Sequence, residues 1–375
     1  MDIPRHKLQS LRIEGFKSIG KEQEITFGDI NVMIGANGVG KSNLVSFFQL
    51  LYYLTINKLQ FGIGKQGYAD SILYYGSQKT DRFSATLKFE DNLWDDEYSF
   101  ALTYANRGLM MFAYETVYCK PKYKIPIAKE TQKDLGSGHK ESLLQEKEQG
   151  FEANKIHILL SKCRVYQFHN TSETAYIRQP CSINDNRYLK SDAGNLAAYL
   201  YEMKNSEIDR DYYQRIISSI QNIMPQFQDF FLEPLKANPN LILLQWIAKT
   251  HENIFGAHQI SDGSLRFMAL ATLLLQPPKN LPNLIIIDEP ELGLHPEALV
   301  DLAGMIKIAA QNCQIILSTQ SAYLLNFFEV KDIIVVSSKN DTTVFEHQDE
   351  KKLGIWLKDY TMAEIWDKNL IGGRP

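Results

Sequence analysis

Three clusters of residues in this chain have the types and spacing for phosphate chemistry. Residues 35–42 read Gly35, Ala36, Asn37, Gly38, Val39, Gly40, Lys41, Ser42, and Asn43 follows. Glycines so spaced let consecutive backbone N–H groups converge on phosphate oxygens at a helix N-terminus, whose dipole adds a fixed positive end. Lys41 is then expected to reach the β and γ phosphates of a nucleoside triphosphate, and the Ser42 hydroxyl to ligate Mg²⁺. A chance glycine turn is the bland alternative. It fits poorly, because the apolar run INVMI leads into the loop and an apolar helical pattern leaves it.

The second cluster ends an apolar run, Leu284 to Ile287, with Asp288, Glu289 and Pro290. A buried parallel strand delivers its C-terminal end to the ligand crevice of an α/β sheet. Asp288 is therefore expected to hold the metal's water shell, and Glu289 to polarise an attacking water. Taken alone, two acids after a strand are as often a plain strand end; beside a phosphate loop they gain a purpose. In the third cluster, Ser261, Asp262, Gly263 and Ser264 open an apolar helix and offer an anion-binding cap, although taken alone they are more often an ordinary helix N-cap.

The elements that must position these residues are legible in outline. Short apolar runs, LRIEGF, EITF and INVMI, precede the loop, and a helix carrying Leu44, Val45, Phe47, Phe48, Leu50 and Leu51 follows it, apolar on nearly every side as in a buried α/β layer. Phe83, Ala85, Leu87 and Phe89, then Tyr98, Phe100, Leu102 and Tyr104, alternate across a polar turn and predict an antiparallel hairpin. Residues 120–155 are rich in Lys, Glu, Gln and Gly and predict a solvated insertion or flexible loop. Helices are expected over 195–203 and 212–224, the second with Ile216, Ile217, Ile220 and Met224 on one face and Pro225 as its stop. From Ile260 onward, helix and strand alternate as in a parallel sheet. The expected domains are residues 1–115, an N-terminal lobe with the phosphate loop and hairpin; 116–255, an insertion with a flexible loop and a helical subdomain; and 256–375, a C-terminal lobe.

Composition narrows the setting. A chain of 375 residues with 44% hydrophobic content can bury a large core, and a net charge of −4 gives the whole molecule no strong attraction for nucleic acid or acidic membranes. Four cysteines without metal-type spacing suit a reducing compartment, and no run approaches the ~18 apolar residues of a membrane span. A cytoplasmic protein with no membrane partner is expected. Tyr166, Phe168 and His169 could stack on bases, but Tyr166 and Phe168 share strand parity, so core packing with an exposed polar neighbour is the favoured reading.

The order of motifs, with a phosphate loop, long insertion, S-D-G-S, acidic strand, then Glu291 to Pro296 and Ser318 to Ser321, resembles the ATP-binding-cassette superfamily. More narrowly, FKSI at 16–19, GANGVGKSN, SDGS, IIIDEPELGLHP and LSTQSAYLL resemble RecF/SMC-related bacterial ATPases, including the ATPase portion of OLD-type proteins. YQFHNTS at 166–172, DNRYLKSDAGNLAAYL at 185–200 and the closing AEIWDKNLIGGRP resemble a group of stand-alone AAA-family ATPases, so the likeness spans most of the chain. It implies an α/β fold: an ABC-type P-loop NTPase head with a mixed or parallel sheet, an antiparallel β subdomain and a helical insertion. It further implies ATP with Mg²⁺ bound at Ser42 and Asp288, and a head-to-head homodimer in which Ser261, Gly263 and Ser264 of one subunit meet the γ-phosphate held by Lys41 of the other. His295 falls where such proteins contact the opposite subunit, and Gln320 takes the switch position that is a histidine in many transporters. Asp262, an acid near an anionic ligand, and the uncharged Gln320 imply slow turnover. Lys17 and Ser18 stand either toward the adenine or ribose, as in relatives, or in an ordinary surface turn.

The function expected on these grounds is a dimeric ATPase switch acting on DNA or on a separately encoded effector, a nuclease or toxin, in phage defence or DNA maintenance. The alternatives are a low-turnover ATP-bound scaffold that restrains a toxic partner and, less favoured, a transporter motor, for which no coupling glutamine loop is recognisable.

Overall fold

The alternation at residues 83–104 produces the expected hairpin. In the computed structural model, which describes residues 6–123, 129–249 and 251–374, strand Arg82–Glu90 pairs antiparallel with Trp94–Tyr104. Phe83 faces Leu102, Ala85 faces Phe100 and Leu87 faces Tyr98, all of them buried. Asp91 closes the turn by accepting the amides of Leu93 and Trp94, as short acidic side chains do in turns. The hairpin is the middle of a six-stranded antiparallel sheet in the order Gln23–Thr26, Lys7–Glu14, Arg82–Glu90, Trp94–Tyr104, Met110–Pro121, Thr131–Gly136.

This sheet belongs to the first of two compact units, made of Met1–Val165, Pro282–Ile286 and Cys313–Pro375. A second six-stranded sheet in that unit carries the phosphate-loop strand Ile30–Ile34. It runs parallel to Gln314–Thr319 on one side and to Ile333–Lys339 on the other. Thr342–His347 is antiparallel at the near edge, and Leu284–Asp288 and then Cys163–Tyr166 complete the order at the far edge. The helix Lys41–Thr55 buries Leu44, Val45, Phe47, Phe48, Leu50, Leu51 and Leu54. They share one core with Leu11, Leu87 and Phe100 of the antiparallel sheet and with Ile316, Ile334 and Val336 of the other. Each such side chain contributes about 1.5–3 kcal/mol by leaving water, which is why a helix apolar on every side is stable here.

Residues 120–155 correct the sequence expectation of a flexible loop. Thr131–Gly136 is the sixth strand of the antiparallel sheet, and Gly150–Ser161 is a helix that buries Ala153, Ile156, Leu159 and Leu160. Part of the polar composition is paired inside the fold: Lys155, its side chain only 12% exposed, lies 4.0 Å from the centre of the Trp94 ring while its ammonium pairs with the buried Asp96 at 2.7 Å. Residues 124–128 of that stretch lie outside the described residues.

The second unit comprises Tyr166–Leu281 and Ile287–Asn312. The two expected helices are Leu196–Asn205 and Arg210–Ile223, the latter burying Tyr213, Ile216, Ile217 and Ile220. A three-stranded antiparallel sheet of Phe227–Phe231, Gln245–Ala248 and His251–Gly256 accompanies them; strands this short left no alternation long enough to read. The unit also holds a small sheet of Pro234–Leu235, Asn238–Ile242 and Cys181–Ser182 and the helices Asp262–Leu275 and Pro296–Ala310, the second with proline at its start. Among the described residues no helix is long and apolar enough to cross a membrane.

One buried acid organises the antiparallel sheet. Glu115, fully buried, accepts hydrogen bonds from Tyr98 Oη at 2.6 Å, Ser142 Oγ at 2.5 Å and the Leu143 amide at 3.0 Å, and contacts His139 Nε2 at 2.8 Å. The network fastens residues 139–143 to the sheet. Glu115→Ala strands several buried donors, so denaturant unfolding is expected to show a loss of about 3 kcal/mol; a loss under ~1 kcal/mol would contradict this role.

Candidate functional site

The phosphate loop leaves a strand buried from Asn31 to Ile34 and is held tightly. A Cβ on Gly35 would sit 2.3 Å from the Val336 carbonyl oxygen. Gly40 has φ 113°, and a Cβ there would meet Thr343 Oγ1 at 2.2 Å. Both positions therefore require glycine. The helix starts at Lys41 with no side-chain cap, so its first turn is the kind of N-terminus that receives an anion. Lys41 is 5% exposed, and its ammonium lies along the loop, donating to the carbonyls of Gly35 at 2.5 Å and Ala36 at 3.0 Å. Ser42 is exposed in the first turn. An uncapped helix start, a left-handed glycine and a buried ammonium along the loop fit a polyphosphate.

A chain of hydroxyls braces the loop. Asn43 Nδ2 donates to Ser18 Oγ at 2.6 Å, Ser18 Oγ lies 2.6 Å from Thr343 Oγ1, and Thr343 Oγ1 donates to the Val39 carbonyl at 2.7 Å. Since Thr343 donates onward, Ser18 donates to Thr343. Ser18 therefore supports the loop from behind. Lys17 has φ 48°, and burial pushes its ammonium pKa down. It lines a cavity of about 590 Å³ with Asn43, Gln66, Asp70, Ser71 and Tyr75. Gln320 is exposed at the end of Gln314–Thr319; because Thr319 is in register with Ile34, Gln320 leaves the sheet level with Gly35.

In the second unit, Ser261 caps the helix Asp262–Leu275: its Oγ accepts the Ser264 amide at 3.1 Å and donates to Ser264 Oγ at 2.8 Å. A Cβ on Gly263 would sit 2.2 Å from the Gly293 carbonyl oxygen, so the helix start and the turn after the acidic strand are in direct contact. Asp262 has a compensating cation: Arg178 Nη2 donates to it at 2.8 Å, and hydrogen bonds from Arg178 and then Thr171 lower its pKa. Arg178 also donates to the carbonyls of Thr171, Ala257 and Ile260. Arg266 binds the carbonyls of Phe168 at 3.2 Å, His169 at 2.9 Å and Leu292 at 2.9 Å. One guanidinium thus ties together the helix Asp262–Leu275, residues 168–169 and the turn after Glu289.

Asp288 is 5% exposed and accepts from Gln167 Nε2 at 3.0 Å, and its carbonyl accepts from His169 Nε2 at 2.8 Å. Glu289 stands at φ 44°, a conformation that non-glycine residues adopt at a cost and that clusters at functional positions. Tyr166 and Phe168 are buried, 4% and 6% exposed, as core packing requires. His295 caps the helix Pro296–Ala310.

Four residues here escaped the sequence reading: Gln167, Arg178, Arg266 and Thr343. Gln167 is the side chain that holds the Asp288 carboxylate, at 3.0 Å. Its signal was a polar residue directly after the apolar strand Cys163–Tyr166, the same pattern that marks Gln320.

Residues 136–326 match the model of a family described as "AAA domain, putative AbiEii toxin, Type IV TA system". That span includes Ser261–Ser264, the acidic strand and Gln320. Solved structures of similar fold include an SMC head bound to the C-terminal winged-helix domain of ScpA, with 14% identity, a TM-score of 0.56, and 92% of this chain and 99% of that one covered. The Pyrococcus furiosus Smc head with an extended coiled coil, bound to the C-terminal domain of ScpA, gives 15%, 0.57, 94% and 99%. The Thermotoga maritima SMC head gives 13%, 0.50, 92% and 99%. These likenesses establish an SMC-head-like, ABC-type P-loop NTPase fold. No curated protein sequence matches the chain.

Arg266→Met leaves three carbonyls without their donor and is expected to cost about 2–4 kcal/mol in denaturant unfolding. Arg266→Lys should recover only part, because an ammonium lacks the planar fork; full recovery by lysine would contradict the assignment.

Proposed function

Since the chain belongs to this AAA-domain ATPase family, we propose that it binds ATP with Mg²⁺ and hydrolyses it as a homodimeric switch. The observation that carries this reading is the phosphate loop, with its buried Lys41 along the loop carbonyls and its uncapped helix start. Residues 35–43 would wrap the phosphates, with Lys41 neutralising β and γ oxygens. Ser42 and Asp288 would hold Mg²⁺, which when bound supplies charge neutralisation at the β and γ oxygens. Gln167 would orient the Asp288 carboxylate. The cavity beside Asn43, lined by Lys17 and Tyr75, would take the nucleoside. Glu289 would draw the proton from the attacking water, and Gln320 would donate a hydrogen bond to the terminal phosphate.

Ser261, Gly263 and Ser264 would complete the site of a second copy, their helix start facing its γ-phosphate. Compensation of Asp262 by Arg178 supports this use, because it removes the repulsion an unpaired carboxylate would exert on that phosphate. Engagement of two heads on ATP, and release after hydrolysis, would be passed to DNA or to a separately encoded effector in phage defence or DNA maintenance. The toxin–antitoxin system in the family description favours an effector of the toxin class, which also keeps the restraining-scaffold reading in view; stimulated phosphate release separates the two.

Glu289→Gln is expected to keep ATP affinity, lower turnover at least ~100-fold and hold an ATP-dependent dimer in light scattering, whereas Lys41→Ala loses ATP binding. A Glu289→Gln protein that stays monomeric with saturating ATP would contradict the shared site.

A further inference from the structure

The phosphate loop is touched by a distant part of the chain. The Ala36 amide donates to the Gly373 carbonyl at 3.0 Å, joining the loop to residues 369–374. That segment is a built hook. Asn369, Gly372 and Gly373 all have left-handed backbones, at φ 54°, 74° and 84°, and the Asn369 side chain accepts the Arg374 amide at 3.4 Å. A Cβ on Gly373 would sit 2.6 Å from Val335 Cγ1 and 3.1 Å from the Trp366 ring, so only glycine lets the backbone lie flat there. The hook's base is the helix Met362–Asp367, capped by Thr361 and Glu364. It packs on the helix Ala322–Leu325, which begins two residues after Gln320, and the Ala363 amide donates to Asn326 Oδ1 at 2.9 Å.

The next residue after the contact is Arg374, whose α-carbon stands one peptide plane from the hydrogen bond to Ala36. The same Ala36 holds the Lys41 ammonium through its carbonyl, which marks it as the β/γ-phosphate end of the loop. Arg374 pairs with the carboxylate of Asp367 at 3.8 Å and with its carbonyl, and the two side chains are 41% and 61% exposed. So exposed a pair is worth little, and exchanging it for phosphate oxygens costs little, while a guanidinium matches phosphate geometry with two parallel bonds. The site also has use for a cation, because Gln320 at the switch position brings no charge.

We propose that Arg374 is a phosphate-binding residue of the nucleotide site, delivered by the 369–374 hook and exchanging Asp367 for the terminal phosphate of a nucleoside triphosphate. This rests on the ATP reading above. The test compares wild type, Lys41→Ala, Arg374→Ala, Arg374→Lys and Asp367→Asn by calorimetric binding of ATPγS and of ADP, with phosphate release measured alongside. Arg374→Ala should weaken ATPγS about tenfold or more, leave ADP within about threefold, lower turnover, and keep its unfolding midpoint within ~2 °C of wild type. Arg374→Lys should recover part of the ATPγS affinity, and Asp367→Asn should keep or tighten it. Arg374→Ala with wild-type ATPγS affinity and turnover overturns the proposal, as does an equal loss for both nucleotides, which would make the hook a structural brace. If Lys41→Ala loses binding in either case, the ATP reading stands alone; a wild type that binds neither nucleotide overturns both.

Discussion

A loop that turns its amides inward around an anion must be supported from outside, since it has no room for side chains of its own. Here the support is steric and comes from every side of the first unit. Gly35 lies against the Val336 carbonyl and Gly40 against Thr343 and Ser18, each too close for a Cβ. Behind them, the Asn43–Ser18–Thr343–Val39 relay fixes the far side of the turn. Pieces that supply this cradle lie more than 300 residues apart in sequence, so the antiparallel sheet, the parallel strands and the helix between them must all be in place before the loop has its shape. The apolar helix Lys41–Thr55, enclosed by residues of both sheets, joins those parts.

The second unit solves a related problem with charge. The helix start after Ser261, proposed to face phosphate, carries an acid, Asp262, and the compensation is local: Arg178 is nearly buried, pairs with Asp262 and is itself held by carbonyls. Arg266 performs a parallel task one turn later, linking the helix Asp262–Leu275 to residues 168–169 and to the turn after Glu289. Movement of any one of these segments therefore bears on the other two. In the proposed cycle, this is how a change at the acidic strand end would reach the helix start that serves another copy.

Much of this was legible in the sequence, for physical reasons. Period-two alternation at 83–104 has one comfortable outcome, a hairpin with one buried face, and that is what forms. The phosphate loop, the acidic strand and the helix after Ser261 were readable because their chemistry is local in sequence. What was hidden depends on contacts between distant residues. Gln167 gains its meaning from Asp288, 121 positions away, and Thr343 from Ser18, 325 positions away. The misreading of residues 120–155 has a different origin: Thr131–Gly136 shows the solvent a polar face and gives the core only Leu135, so its composition looked like that of a loop. Arg178 and Arg266 gave no signal, because an arginine saturated with carbonyls looks in sequence like any surface arginine.

The central claim is that one nucleotide site is completed by two copies of the chain. Mixing two inactive proteins tests it most directly: Lys41→Ala, which keeps Ser261, and Ser261→Arg, which keeps Lys41. Neither alone should release phosphate from ATP, but a heterodimer contains one site with Lys41 from one copy and Ser261 from the other. Recovery of ATP hydrolysis on mixing is the predicted result; wild-type hydrolysis without any recovery in the mixture would contradict the shared site.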